Sequence, residues 1–207
     1  MYYIRIKLKK FRDDILINMN EKQVMLGITG TNGAGKGTIV EFLVKVEGFK
    51  HFSASGLISE EIVKRGMSVD RDNMIVVANE LRAQYGPGYI AEELLRRAGE
   101  SQENRIIESI RTLGEVEKLR AKGGILLAVD ADQKIRYERI IKRGSNKDRV
   151  SFEEFAEQEK REMESEDPNK QNLSACIKVA DYVIQNNGTI EELNREIEKI
   201  LIIIKNK

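Results

Sequence analysis

Five short apolar runs, each closed by glycine or charge, are spaced along this chain with amphipathic stretches between them. Residues 24–29, 49–53, 105–109, 125–130 and 181–184 have the length and residue types of strands. The run Ile125-Leu126-Leu127-Ala128-Val129 is almost wholly apolar, as a parallel strand covered on both faces must be. Between these runs the apolar positions recur at helical spacing. Residues 39–44 form one such stretch. Ile58, Ile62 and Val63 form another, opened by Ser55-Gly56. Helices are also predicted from Arg71 to Arg82, from Ile90 to Arg97 after the turn Gly86-Pro87-Gly88, and from Thr112 through Val116 and Leu119. Another carries Arg136, Arg139 and Arg143. Ser151-Phe152-Glu153-Glu154 has the form of a capping box. The helix it opens is so charged as far as Asp167-Pro168 that it is expected to stand in solvent with little core contact. Thr189 caps a last helix whose Ile190, Leu193, Ile197, Ile200 and Ile204 are expected to face the sheet. Strands alternating with helices imply right-handed crossovers and a three-layer α/β/α domain built on a five-stranded parallel sheet.

Residues 1–22 stand apart from this pattern. Ile4, Ile6 and Leu8 alternate with Arg5, Lys7 and Lys9, which fits an edge strand with one basic face or an over-long start. Residues 23–207 are expected to form one domain, with a helical insertion at about 54–100 and a lid at about 143–170. Composition narrows the partners. Lys and Arg number 35 against 34 Asp and Glu, so no global basic field draws the chain to nucleic acid or to anionic lipid. No apolar run approaches the roughly 18 residues of a membrane span. Cys176 is the one cysteine, which suits a reducing cytoplasm. A monomer or a homodimer is expected.

Chemistry enters at Gly30-Thr31-Asn32-Gly33-Ala34-Gly35-Lys36-Gly37-Thr38, between the first strand and the first helix. Glycines let the backbone curl with its N–H groups inward, making a nest for anions. The helix N-terminus adds unpaired donors and partial positive charge, and Lys36 adds a point charge that reaches outer phosphates. The spacing Gly30-x4-Gly35-Lys36 is that of the Walker A phosphate loop, in the strand–turn–helix context it requires. Gly37 stands where most such loops carry a hydroxyl that ligates magnesium, and Thr38 comes one position later. Asn146-Lys147-Asp148-Arg149 lacks the spacing of a guanine-reading Asn-Lys-x-Asp signal, which disfavours a GTP switch.

From about Val24 to Ile204 the chain resembles the P-loop nucleoside monophosphate kinases, adenylate kinase most closely. Gly-Lys-Gly-Thr at residues 35–38 is that family's form of the loop. Residues 53–56 resemble the start of its monophosphate-binding helix, and residues 106–112 resemble its strand ending in Asp-Gly-Phe-Pro-Arg-Thr. The resemblance implies a P-loop NTPase fold, ATP and Mg2+ as cofactors, and a small phosphorylated acceptor, most simply a nucleoside monophosphate. By it, residues Gly30 and Asn32 to Thr38 hold ATP, with Asn187 and Gly188 beside its adenine. Ser55, Gly56, Arg82, Arg111 and Glu115 face the acceptor. Glu108 stands in for the family's aspartate near the metal, with Asp130 as a second candidate. Lys36, Arg111, Arg139 and Arg143 serve the transfer. Two positions depart from the family. Glu60 replaces an arginine on the acceptor phosphate, leaving that role to Arg82 or Arg65, and Glu115 replaces a glutamine that reads adenine. Cytidylate kinases and dephospho-coenzyme A kinases share the lid and C-terminal patterns, so a dephospho-coenzyme A acceptor is an alternative. A nucleotide-binding sensor without transfer is another. His51 lies within the second strand's alternation and is expected to be structural.

Overall fold

The computed structural model describes residues 23–99, 103–144 and 150–206. The basic alternation at residues 4–9 and the polar turn at residues 145–149 lie outside the described residues. Strands β1 (Met25–Gly30), β2 (Lys50–Ser53), β3 (Arg105–Glu108), β4 (Ile125–Asp130) and β5 (Tyr182–Gln185) are all parallel, in the order β2-β3-β1-β4-β5. β1 is central because it is buried from end to end, so neither of its edges can face water.

Alternation along each strand divides the core into two layers. Leu26, Ile28, Ile106, Leu127 and Val129 point to one face, where they meet α1 (Lys36–Lys45) and α9 (Ile190–Lys205). Met25, Ile107 and Leu126 point to the other. There they meet α2 (Ala54–Lys64), α3 (Arg71–Tyr85), α4 (Tyr89–Ala98), α5 (Leu113–Ala121) and the short α8 (Leu173–Lys178). Each fully buried leucine or isoleucine of these layers contributes about 1.5–3 kcal/mol. Gly27 is part of the same packing: a Cβ there would lie 2.2 Å from Cδ2 of Leu119 on α5. The remaining helices are α6 (Gln133–Arg143) and α7 (Phe152–Met163).

Three expectations change. α7 ends at Met163, short of Asp167; none of its residues joins either core layer, as expected, but Phe155 and Glu162 are buried. Its Glu159 and Glu162 are matched to arginines far away in sequence, a pairing that periodicity does not register. α8 was not expected. Asn172 caps it by accepting from the Ala175 amide at 2.9 Å, while the Asn172 amide donates to the Arg111 carbonyl at 2.9 Å. In α9 Leu193, Ile197, Leu201 and Ile204 are buried and Ile200 packs partly buried against the same layer, as expected, whereas Ile190 is 60% exposed. The inward row starts at Leu193, one turn after Ile190, the first helical residue.

Candidate active site

The loop after β1 is shaped by contacts with backbone that only glycine permits. Gly30 has φ 136°, and a Cβ there would lie 1.9 Å from the Val129 carbonyl oxygen on β4. Gly35 has φ 111° and precedes α1, and its missing Cβ leaves room for Asn186. The Asn186 side-chain amide donates to the Ala34 carbonyl at 2.7 Å, and Thr31 donates its hydroxyl to Asp130 Oδ1 at 2.6 Å. The ends of β5 and β4 thus hold the loop against β1. No side chain caps α1, and no acidic residue sits in its first turn. Its helical bonding begins with the Ile39 amide on the Gly35 carbonyl, at 3.1 Å. The N–H groups of Lys36, Gly37 and Thr38 are therefore donors for an anion, with the helix dipole behind them.

Lys36 folds back over this turn and donates to the carbonyls of Gly30 (2.9 Å) and Thr31 (2.7 Å). Burial, and then the nearby Arg111 charge, push its pKa down to about 7 despite the opposing pull of Glu108 and Glu162. The loop is thus short of negative charge. A bound anion would supply it.

Two cavities adjoin at the carboxyl edge of the sheet, where open parallel sheets bind ligands. The first, of about 650 Å³, is lined by Lys36, Thr38, Glu108, Arg139, Asn186 and Gly188 among others. The second, of about 470 Å³, is lined by Ser55, Ile58, Arg71, Met74, Arg82 and Glu162 among others. Asn32, Arg111 and Arg143 border both.

The predicted residues fall into this frame unevenly. Asn32, Gly33, Gly35, Lys36, Gly37 and Thr38 border the first cavity, while Gly30 and buried Ala34 shape the loop from behind. Arg139 holds the segment after β5, donating to the carbonyls of Asn186 (2.8 Å) and Gly188 (3.2 Å). Asn187 accepts from the Asp132 amide at 2.8 Å and so ties that segment to the end of β4. Arg143 Nη2 lies 3.5 Å from Asn32 Oδ1. Arg136 is turned into the core, donating to the Ala131 and Asn32 carbonyls and pairing with Glu159 of α7. Asp130 is engaged by Thr31, by the Ala131 amide and by Arg136.

Ser55 lines the second cavity. Gly56 donates its amide to the capping Ser53 hydroxyl, at 3.4 Å. Arg82 and Glu115 face each other, Nε to Oε1 at 2.9 Å, with side chains only 2% and 1% exposed. Glu115 Oε2 also accepts from the Arg111 amide at 2.7 Å. Glu60 pairs with Arg97, and Arg65 with Glu61 and Glu80 on the surface. Ser109, just past β3, has φ 71°, an unusual backbone conformation for a residue with a Cβ.

Glu108 ends β3 and borders the first cavity, with Oε2 2.8 Å from His51 Nε2. Burial would raise its carboxyl, but His51, Lys36 and Arg111 together hold it below the ordinary carboxylate value. Among the described residues no group of three or more His, Cys, Asp or Glu is placed to cage a metal. One ionised carboxylate beside a phosphate loop suits Mg2+, which keeps most of its waters and takes few protein ligands.

Sequence reasoning missed Arg71, Glu162 and Asn186. Asn186 adjoins the expected Asn187-Gly188 pair and was within reach of that pattern. Nothing local marks Arg71 or Glu162, each one charge among many.

The profile of the AAA domain family (AAA_18) matches residues 26–168. A UPF0200 protein from Methanothermobacter thermautotrophicus is 33% identical over 181 residues, covering 86% of this chain and 89% of that protein. One from Thermococcus kodakarensis is 30% identical over 181 residues, covering 84% of this chain and 94% of the relative. Among solved structures, TT1252 from Thermus thermophilus superposes with TM-score 0.58 at 22% identity, over 87% of this chain and 97% of that one. A shikimate kinase from Acinetobacter baumannii, in complex with shikimate, superposes with TM-score 0.51 at 18% identity, over 90% and 97%. At these identities the likeness to solved structures is one of fold, a P-loop kinase-like fold and not that of nucleoside monophosphate kinases in particular. The chain belongs to the AAA domain family and, by its relatives, to the UPF0200 proteins.

Proposed function

We propose that this chain is an ATP-dependent small-molecule kinase. It moves the γ-phosphoryl group of ATP to a small phosphorylated acceptor, most simply a nucleoside monophosphate. The observation that carries this reading is the pair of adjoining cavities bordered by Arg111, Arg143 and Asn32, one built on the phosphate loop and the other on an arginine-edged apolar wall. Phosphoryl transfer asks a protein for alignment and charge neutralisation more than for covalent chemistry.

Each residue then has a task. The amides from Gly33 to Thr38, with Lys36, grip the β- and γ-phosphates. Lys36 exchanges its two carbonyl partners for phosphate oxygens and regains its full charge. Glu108, with Thr38 nearby, would hold Mg2+, through its waters, and the ion would supply further neutralisation of the phosphate oxygens. Asn187 and Gly188 flank the donor's base, with exposed Ile190 as an apolar surface beside it. Arg111 fixes the acceptor, and Arg139 and Arg143 meet charge that develops on the migrating group. Ser55 and Arg82 line the acceptor side, with Ile58 and Met74 offering apolar surface to its body, while Gly56 shapes the helix start and buried Glu115 anchors Arg82 from behind. Residues 54–100 serve as the acceptor-binding insertion and residues 143–170 as a lid that excludes competing water.

The test is ATP with Mg2+ against a panel of nucleoside monophosphates and dephospho-coenzyme A, read by ADP release and by label transfer. Label on one acceptor is the expected result. ATP binding with transfer to none of them would overturn the kinase reading in favour of a nucleotide sensor. Arg111→Ala should raise the acceptor's KM far more than that of ATP.

A further inference from the structure

Three charged groups facing the second cavity form a closed set drawn from three separate parts of the fold. Glu162, in the last turn of α7, accepts from Arg71 Nη2 through Oε1 and from Arg111 Nη1 through Oε2, the latter at 2.9 Å. Arg71 opens α3, and Arg111 lies between β3 and α5. The Glu162 side chain is 9% exposed, and the two guanidiniums hold its pKa below the ordinary value against the effect of burial.

This bridge leaves donors unused. A guanidinium has five N–H groups and can grip an oxyanion two-pronged, whereas Glu162 takes one N–H from each arginine. Arg71 Nε is buried with no hydrogen-bond partner. Arg111 Nη1 spends its remaining capacity on Gln171 Oε1 at 2.8 Å. A tetrahedral phosphate offers three oxygens and a second charge, so it matches this pair of cations better than the carboxylate that spans them.

The mounting of α7 fits an exchange. Its buried residues are Phe155 and Glu162. Phe155 is wedged beside Tyr137, with the Arg136 guanidinium 5.7 Å above its ring, so the first half of the helix is anchored by packing. The last turn is held inward by Glu162, and at Glu164 the chain is already extended.

We infer that Arg71 and Arg111 are the seat for the acceptor's phosphate, and that Glu162 is the seat's internal occupant, displaced when the acceptor binds. This deepens the kinase reading and rests on it for the identity of the acceptor. Displacement frees the end of α7, so the lid helix responds to the acceptor's charge. Glu162 thereby sets an affinity threshold that every outside anion must meet. A seat filled by its own carboxylate about nine-tenths of the time weakens any outside anion about tenfold, a penalty that a weak, singly charged anion does not overcome.

The experiment titrates inorganic phosphate into the full chain with the loop saturated by AMP-PNP and Mg2+, and follows hydrogen exchange of residues 152–163. Glu162→Gln should bind phosphate about tenfold tighter than the unmodified protein, with fast exchange at the end of α7 before phosphate is added. In the unmodified protein phosphate should induce that fast exchange. Adding Arg71→Gln should erase the gain. Equal or weaker phosphate binding by Glu162→Gln, or a gain that survives Arg71→Gln, would overturn the inference. An equal response to acetate would overturn the phosphate assignment. If AMP-PNP does not bind, the nucleotide reading of the loop fails by itself, and the exchange response of α7 to phosphate still decides the seat. Should Glu162→Gln not fold, Glu162→Asp, one methylene too short to bridge both arginines, should show a smaller gain of the same sign, and no gain would overturn the inference.

Discussion

Raising the pH from about 6 to about 9 should change the number of protons taken up when this protein binds ATP, and Lys36 sets the amount. In the ligand-free site burial and the Arg111 charge bring Lys36 to about 7. At pH 8 it is then about one-tenth protonated. Phosphate oxygens beside Nζ would return it to the ordinary lysine range near 10.4, so binding at pH 8 takes up about 0.9 proton. At pH 6 the lysine is already about nine-tenths charged and uptake falls to about 0.1. Between these limits ATP affinity should weaken by up to tenfold per pH unit above 7. Calorimetry in buffers of different ionisation enthalpy reads the uptake directly, and the affinity follows from the same titrations. The folded-state value lies below the unfolded one, so charging Lys36 opposes folding. That penalty is full below about 7 and vanishes as the pH climbs past the unfolded value of 10.5. Lys36→Met, similar in volume but uncharged, should therefore raise the melting temperature of the ligand-free protein near neutral pH while removing ATP binding. Binding heats independent of the buffer at pH 8, or net proton release, would refute the reasoning.

Breaking the buried Arg82–Glu115 pair should be costly. Glu115→Gln should lower stability by about 3 kcal/mol in urea unfolding, whereas Arg82→Met with Glu115→Leu should recover most of the loss. Asn186→Ala removes the bond to the Ala34 carbonyl, so steady-state kinetics should show KM for ATP rising with little change for the acceptor. The same variant should lose about 1–3 kcal/mol of stability. Gly30→Ala places a Cβ against the Val129 carbonyl at a φ of 136°, and circular dichroism should show loss of folded protein.

Legibility followed the range of the interactions. All five strands were readable because apolar alternation and short apolar runs are properties of adjacent residues. The phosphate loop was readable for the same reason: nine consecutive residues carry the nest, the helix start and the lysine. The charged helix expected at residues 151–167 does stay out of both core layers, but it ends at Met163, and the partners of its inward charges were not readable. Glu159 meets Arg136 across 23 positions and Glu162 meets Arg71 across 91. The adenylate kinase resemblance reached the P-loop kinase-like fold, while the acceptor it implied depends on side chains that no motif contains.

The sequence by itself determined a parallel α/β sheet and a glycine-rich anion nest with one lysine, because both are written in local spacing. Only the tertiary structure decided which charges are spent and which face a cavity. It buries Arg82 against Glu115 across 33 positions, closes the loop with Asn186 from 152 positions away, and sets Glu162 between two arginines. Such pairings depend on how strands are ordered and helices docked, and in a chain where a third of the residues are charged, composition offers too many equivalent partners to choose among them.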